Sequence, residues 1–442
     1  MSIRLSDHFT YGKLLRFTVP SMIMVIFTSI YSVIDGLFVA NFVGETPFAA
    51  VNIVWPFIMI IGAVGFMFGS GGSALVAKIL GEKHNFKARR IFSLIIYTVI
   101  LLGIVFAAIG LCFIRNALTI LGVSGNLMTE SMVYAKILFP AIPALMLQVI
   151  FQSFMATAER PKFGLWITIT AGIINFILDA LFIIVWKWGL SGAALATAVS
   201  QIIGGFVPLI YFALPNKSLL RLGRTGLHFR ALIKACTNGI SEFLSNISMS
   251  LVGMLYNYQM LRFIGEDGVI VYGIISYVNF IFLAAFLGYT VGCNPIVSFH
   301  YGAGNKTELK NLLHKSLHLT AAAAIILTIT AEITSPLIAA VFIRNDPPLA
   351  AMTTLGFRIY ALSFLLAGFN IYASGFFTAL NNGLISAIIS FCRTMIFECL
   401  CVLILPMLFG LNGIWSAIIF AEIMALIISI IFIKKMQRRY GY

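Results

Sequence analysis

The sequence predicts an all-α protein embedded in a membrane, with twelve transmembrane helices arranged as two six-helix lobes. Composition is the first indication, because 60% of the 442 residues are hydrophobic and 10% are charged, against about 45–50% and 25% in soluble proteins. A mean hydropathy of +1.02 leaves too little polar surface for a water-exposed body. The number of long apolar segments and a repeat at half the chain length are the other two indications. Together they exclude a soluble domain, a disordered chain, a nucleic-acid-binding module and a disulfide-rich secreted scaffold.

Twelve segments reach the roughly 20 mainly apolar residues that a helix needs to cross the bilayer core. The first six are predicted at 14–41, 50–78, 91–114, 128–156, 163–186 and 190–213. The second six are predicted at 232–262, 269–299, 316–341, 350–379, 384–409 and 411–433. The first segment is too long for the core of a signal peptide and has no small-residue cleavage site after it, so we expect it to remain as the first helix.

The distribution of basic residues predicts the orientation. Of the 29 Lys and Arg residues, 23, including Arg393, are assigned to the side that holds both termini. Four are assigned to the other side, namely Arg115, Lys187, Arg262 and Arg344. The remaining two, Lys136 and Arg358, fall within spans. The positive-inside rule then places both termini in the cytoplasm of a multi-pass cell-membrane protein. The net charge of +14 therefore marks one membrane side and indicates no nucleic-acid partner.

A shift of 221 residues aligns the two halves of the chain. The segment FVGE at 42–45 falls on FIGE at 263–266, and Gly189-Leu190 falls on Gly410-Leu411. Each half holds six spans and enters the membrane the same way round, which predicts a pseudo-twofold axis along the membrane normal. We predict an N-lobe at 1–213, a cytoplasmic linker at 214–230 and a C-lobe at 231–442. Two lobes that face each other form a cleft, an arrangement typical of alternating-access transporters.

Six acidic residues remain inside the spans: Asp35, Asp179, Glu242, Glu332, Glu398 and Glu422. An ionised Asp at mid-helix costs roughly 2.5–3.5 kcal/mol, so each acid needs a partner, a water-filled cavity or a proton. Asp35 and Asp179 are predicted to lie deepest. Asn175 precedes Asp179 by one helical turn, and Thr197 and Gln201 share a face of the next helix. Such a group can hold a proton or coordinate a small cation through its oxygens; the alternative is a polar network that only joins helices.

The other acids are less informative. Glu242 is predicted near the cytoplasmic end of the seventh helix, where its side chain can reach the interface. Glu422 falls on Gln201 under the 221-residue shift, so a structural polar pair and a substrate contact are equal alternatives. Glu332 and Glu398 have no partner that the sequence identifies.

Several segments resemble the MATE (multidrug and toxic compound extrusion) transporters. The run YSVIDGLFVA at 31–40 is similar to that family's first helix, and Asn175-x-x-x-Asp179 to its fifth-helix motif. The segment NPIVSFHYGAGN at 294–305 resembles the eighth-helix exit in the form typical of the MepA-like branch. The resemblance covers essentially the whole chain and implies an efflux antiporter for amphipathic, often cationic compounds, driven by protons or sodium.

The resemblance also implies roles for individual residues. The family's N-lobe ion site corresponds to Asp35, Asn175, Asp179 and Thr197, with Tyr134 nearby and Pro20 as the bending proline of the first helix. Residues expected to contact substrate or to extend the polar network are Tyr31, Gln152, Gln201, Glu242, Asn370, Glu398 and Glu422. The tenth helix has no acid, although Asn370 lies there, and Glu242 comes too early in the seventh helix to match a C-lobe sodium site.

The sequence therefore predicts a monomeric, proton-coupled multidrug antiporter that is not an enzyme and holds no resident metal or cofactor. Sodium coupling at the same N-lobe oxygens is one alternative. The other is a lipid-linked saccharide flippase of the same superfamily, which commonly lines its cavity with basic residues. Here six acids within spans outnumber the two cations Lys136 and Arg358.

Overall fold

The computed structural model describes residues 3–343 and 346–442, apart from the side chain of Leu37. Arg344 lies outside the described residues. Within the described residues, twelve long helical segments follow one another, interrupted by short connections. The first six are α1 (Tyr11–Val43), α2 (Glu45–Gly81), α3 (Asn85–Ile120), α4 (Gly125–Thr157), α5 (Pro161–Val185) and α6 (Gly189–Ala213). The second six are α7 (Phe229–Phe263), α8 (Glu266–Gly302), α9 (Lys306–Phe342), α10 (Pro347–Ala361 and Phe364–Ala379), α11 (Gly383–Phe409) and α12 (Leu411–Tyr440).

Two of these helices depart from a plain apolar span. α10 bends by 46° between Ala361 and Phe364. α7 has the length of a span but is more polar than the others, because residues 241–250 include four serines, Asn246 and Glu242. The other ten helices are each long and apolar enough to cross a membrane. The predicted twelve-helix, all-α architecture is confirmed.

The helix bounds repeat with the same offset as the sequence. Shifting α2 by 221 residues gives the bounds of α8 at both ends, and the first residues of α3 and α9 coincide in the same way. Each half packs around its own hydrophobic core. The N-lobe core includes Phe92, Phe151 and Phe154, and the C-lobe core includes Tyr256 and Trp415. The two lobes are joined by residues 214–228, which are not helical.

The lobes meet most closely near the face of the bundle that carries both chain termini, which we call the terminal face. Backbones approach each other there at glycines. A Cβ added at Gly71 of α2 would overlap the carbonyl oxygen of Ala235 on α7, and one added at Gly239 would overlap the carbonyl oxygen of Met67. Only glycine permits so close a backbone approach between helices. The lobes are thus closed against each other at the terminal face.

A segment before α1 adds a further contact at this face. Leu5 and Phe9 are fully buried in a third hydrophobic cluster that also contains Leu309, Leu312, Tyr440 and Tyr442. The carboxylate of Glu308 on α9 accepts a hydrogen bond from the Phe9 N–H at 2.9 Å and lies 2.6 Å from Nδ1 of His8.

The same segment contacts the N-lobe. Glu159, in the connection between α4 and α5, accepts a hydrogen bond from the Leu5 N–H at 2.6 Å. Burial raises the pKa of Glu159, while this bond and the charge of Arg4 act in the opposite direction. Residues 5–9, the N-terminal strap, therefore link the two lobes across the terminal face.

Two expectations about charged residues are wrong. The sequence places Arg393 among the cations of the side that holds both termini, but Arg393 lies within α11 and its Nη2 is 2.7 Å from Oε1 of Glu422. The sequence identifies no partner for Glu332, yet its Oε2 lies 3.6 Å from Nε of Arg358. Both pairs join residues on different helices, which a single sequence does not reveal.

Candidate functional site

The predicted N-lobe site assembles where α1, α5 and α6 meet. Asp35 lies on α1, Asn175 and Asp179 on α5, and Thr197 on α6. The hydroxyl of Thr197 donates to Oδ1 of Asp35 at 3.5 Å. Asp179 and Asn175 lie close enough to the Asp35 carboxyl group to interact with it. The structure thus brings together all four residues that the sequence grouped.

Local structure on α5 positions two of these side chains. Asn175 and Asp179 are one turn apart and share a helix face. Asp179 is the last residue of the α-helical part, and a π-helical turn, Ala180–Val185, follows directly. Such wider turns occur mostly as single interruptions of α-helices and are frequent at functional sites.

Burial distinguishes these side chains from ordinary polar groups. Asp179 is 1% exposed and Asn175 is 3% exposed, whereas Asp35 is partly buried. Among the described residues, Oδ1 of Asp179 and Nδ2 of Asn175 have no hydrogen-bond partner. Buried polar atoms in folded proteins are nearly always hydrogen-bonded. An acceptor and a donor without partners beside a second carboxyl group form a site that a proton, a small cation or a water molecule can complete.

Two tyrosines border the acid pair. Tyr134 of α4 is 1% exposed and lies close enough to Asp35 and Asp179 to interact with their charges. Tyr31 precedes Asp35 by one turn of α1 and contacts Gln148 of α4. These contacts extend the site from three helices to four.

Sequence reasoning missed Gln148. It selected Gln152, one turn further along α4, from the family resemblance. Both amides line a small cavity of about 10 Å³ together with Met24 and Met155. The shared helix face of two glutamines four residues apart was the only available signal.

Two other predicted residues lie in the same lobe. Gln201 is buried on α6, one turn after Thr197. Pro20 lies inside α1, which is helical on both sides of it from Tyr11 to Phe38. The proline is thus accommodated without a break in the helix.

The C-lobe holds a different polar arrangement. Glu422 of α12 is 1% exposed, forms the ion pair with Arg393, and accepts a hydrogen bond from Nδ2 of Asn370 at 2.7 Å. Ser429 donates to Oδ1 of Asn370 at 2.9 Å. Glu422 and Asn370, both predicted as network residues, therefore lie in one network that contains its own cation.

The remaining two predicted acids lie elsewhere. Glu398 is buried on α11 and lies close to Tyr256 of α7, whose ring stacks on Tyr272 with centroids 4.6 Å apart. Glu242 lies in the terminal-face half of α7 and is partly buried. The structure brings neither residue into the N-lobe site.

Known multidrug export proteins are similar in sequence to this chain over nearly its full length. A multidrug export protein MepA of Staphylococcus haemolyticus (strain JCSC1435) is 25% identical over 432 residues, covering 97% of this chain and 94% of the relative. A protein of the same name from Staphylococcus aureus (strain NCTC 8325) is 25% identical over 431 residues, covering 94% and 92%.

Solved structures share the fold. One, described as an outward-facing conformation of a multidrug resistance MATE family transporter of the MOP superfamily, superposes with a TM-score of 0.93 at 19% identity, covering 98% of this chain and 97% of that one. Another, a MOP superfamily transporter from Pyrococcus furiosus, superposes with a TM-score of 0.91 at 19% identity, covering 98% of each chain. The MatE family model matches residues 20–181 and 243–403, once in each lobe. The chain therefore belongs to the MatE family of membrane transporters.

Proposed function

We propose that this protein is a proton-coupled antiporter that exports amphipathic organic cations, with Asp35 and Asp179 as the coupling acids. The observation that carries the proposal is the proximity of the buried Asp179 carboxyl group to the partly buried Asp35 carboxyl group, with described neighbours that are polar but uncharged. Two ionised carboxylates in a poorly solvated site repel each other, and a proton or another cation relieves that repulsion. The names of the relatives support export of multiple drugs.

The difference between the ion pairing of Glu422 in the C-lobe and of the two N-lobe acids supports a coupling site in the N-lobe. Glu422 in the C-lobe is already neutralised by Arg393 at 2.7 Å, so it has no need of a bound proton or cation. Asp35 and Asp179 form no ion pair with a described Lys or Arg. An exchangeable cation is therefore expected at the N-lobe pair.

The orientation of the protein in the membrane determines what drives proton entry. We infer that the terminal face is cytoplasmic, because most Lys and Arg residues lie on it. The glycine contacts close that face, so a cleft between the lobes opens to the outside. A proton that enters from outside is driven by the membrane potential at about 2.3 kcal/mol per 100 mV. Protonation of the acid pair removes the negative charge that holds a cationic substrate, which favours its release outside.

Alternating access then requires the lobes to rock. In the opposite state the contacts at Gly71 and Gly239 separate and the cleft opens at the terminal face. A cationic substrate that enters from the cytoplasm competes with the proton for the acid pair, because both are attracted to the same carboxylates. This competition couples export of the substrate to entry of the proton.

Transport of ethidium into inside-out vesicles, driven by a pH gradient, tests the proposal. Asp35→Asn and Asp179→Asn should each reduce pH-driven uptake to a small, measurable fraction of the wild-type rate. The matched control is Asp267→Asn, which changes an exposed acid at the start of α8 and should leave uptake unchanged. Wild-type uptake by either site variant would overturn the role of that acid.

Sodium is the alternative coupling ion at the same oxygens. Replacing sodium with choline at fixed pH should leave ethidium uptake unchanged if protons are the coupling ion. Loss of uptake in choline, with uptake restored by sodium, would replace proton coupling by sodium coupling without changing the site.

A further inference from the structure

A cavity at the terminal face lies apart from the acid pair. It has a volume of about 550 Å³. It opens between the end of α2 and the start of α3 on one lobe and the start of α7 on the other. Six basic side chains and one acidic side chain line it. The basic ones are Lys78, Lys87, Arg90, His228, Arg230 and Lys234, and the acidic one is Glu82.

The charge in this cavity is poorly compensated. Glu82 lies 3.6 Å from Lys78 and is also close enough to attract the charge of Lys234, so one carboxylate faces several cations. Among the described residues, no carboxylate forms an ion pair with Lys87, Arg90, Arg230 or Lys234. Lys78 and Lys87 lie near enough to Lys234 to repel its charge. Cations held together in this way favour a multivalent anion between them.

The cavity walls are held in place. The inter-lobe connection is fixed to α3 by a hydrogen bond from Nε of Arg89 to the Leu219 carbonyl at 3.0 Å and by one from the Gly223 N–H to Ser93 Oγ at 3.1 Å. Arg90 is placed over the ring of Phe86, with 5.6 Å between its guanidinium carbon and the ring centroid. An anion would therefore meet cations that are already positioned, which reduces the entropy cost of binding.

The internal repeat shows why the cavity is open in this half. Under the 221-residue shift, Lys87 and Arg90 correspond to Glu308 and Asn311. In the C-lobe those two residues bind the N-terminal strap, through the Phe9 N–H and the Phe9 carbonyl oxygen. In the N-lobe the position of Phe9 is taken by Arg230. One groove is thus filled by the chain itself, and its counterpart is an open cavity lined by cations.

We propose that this cavity binds a phosphate-bearing anion, and that the anion is the headgroup of an acidic phospholipid. The location favours lipid over a soluble phosphate compound. Phe86 is 74% exposed at the cavity, and Phe229 and Ile233 of α7 are mostly exposed beside it, so apolar surface for acyl chains borders the cationic surface. Basic pockets between transmembrane helices at the membrane interface are suited to such headgroups.

The bound headgroup would link the lobes. Arg90 belongs to the N-lobe and Lys234 to the C-lobe, so one anion between them stabilises the closed terminal face. This consequence is independent of which ion drives transport, because neither residue contacts the acid pair.

Binding of phosphatidylglycerol to the purified full chain in detergent, measured by native mass spectrometry, tests the proposal. The variant with Arg90→Gln and Lys234→Gln should bind phosphatidylglycerol roughly 10- to 30-fold more weakly than wild type. The control with Lys434→Gln and Arg438→Gln removes two exposed cations from the end of α12 and should retain wild-type affinity. Phosphatidylcholine, whose headgroup has no net charge, should bind equally weakly to all three proteins.

Three results would overturn the proposal. Equal weakening in the control would show that general positive charge attracts the lipid. Equal affinity for phosphatidylcholine would show that the headgroup charge is not recognised. Displacement of the lipid by inorganic pyrophosphate that also binds the lipid-free chain would assign the cavity to a soluble phosphate compound. Should the double variant fail to fold, as judged by circular dichroism, the single change Lys87→Gln at an exposed side chain provides the same comparison.

Discussion

The guanidinium of Arg393 and the carboxylate of Glu422 form an ion pair at 2.7 Å in the C-lobe, whereas the described polar neighbours of the N-lobe acids are amides and hydroxyls. Glu422 is almost completely buried, and Asn370 donates a second hydrogen bond to it. Glu422 and the N-lobe acid pair occupy different positions of the repeat, because Glu422 corresponds to Gln201. Glu422 has a fixed cation, and the described residues provide none for that acid pair.

Breaking this pair should destabilise the protein strongly. Arg393→Met leaves the buried Glu422 carboxylate without its cation, and removing one partner of a buried pair costs about 3–5 kcal/mol. The double variant with Glu422→Gln should recover much of that loss, because it removes the uncompensated charge. Chemical unfolding in detergent measures both. The control Lys310→Met removes an exposed cation and should change the free energy of unfolding by no more than about 0.5 kcal/mol. An Arg393→Met variant as stable as the control would contradict the assigned pair.

The two N-lobe acids should act as one unit. Since Asp35 and Asp179 lie close enough to interact, neutralising the second acid removes little that the first change has not already removed. The double Asn variant should therefore retain as much residual ethidium transport as the more impaired single variant. If the fractional losses of transport in the two single variants multiply in the double variant, the acids act independently.

Adding a side chain at the glycine contacts should open the terminal face. A methyl group at Gly71 would overlap the Ala235 carbonyl oxygen, whereas non-bonded carbon and oxygen rest about 3.3–3.6 Å apart. Gly71→Ala should lengthen the distance between spin labels at Lys83 and Lys310 by at least about 1 Å. Gly273→Ala is the control, since a Cβ there meets nothing within 4 Å. An unchanged distance in Gly71→Ala would show that the lobes do not close through this contact.

Glu308 should control the order of the N-terminal strap. Glu308→Ala removes the acceptor of the Phe9 N–H and of Asn311, and each unsatisfied buried donor costs about 1–3 kcal/mol. Amide hydrogen exchange at Phe9 should accelerate in Glu308→Ala and less in Glu308→Gln, which keeps one acceptor oxygen. Exchange at Leu5 should rise with it, because the strap is bound as a unit. Protection that survives in Glu308→Ala would mean that apolar burial alone holds the strap.

Much of the fold could be predicted because the bilayer constrains it. Span length, the side preferred by Lys and Arg, and the 221-residue repeat all follow from local composition, and the helices lie where these signals place them. The N-lobe site could also be located, since buried acids are costly and Asn175, Asp179 and Thr197 occur at helical spacing near one another.

Other features depend on how the helices pack against each other, and a single sequence does not show this packing. Arg393 and Glu422 lie 29 residues apart on different helices, so a rule that assigns cations to membrane sides misplaces the arginine. The bend of α10 falls at Leu362 and Ser363, with neither Pro nor Gly at the break. Gln148 becomes part of the site only because α4 packs beside α1.

The glycine contacts at the terminal face also indicate how the two-lobe protein arose. A Cβ at Gly81 would overlap the carbonyl oxygen of Phe299, and one at Gly302 would overlap that of Lys78. Gly81 and Gly302 are equivalent under the repeat, as are Lys78 and Phe299, so the same backbone patch meets itself across the pseudo-twofold axis. Such self-complementary contact is the rule in twofold dimers. We infer that a six-helix ancestor paired through this patch, and that fusion of the two copies freed each half to acquire its own charges.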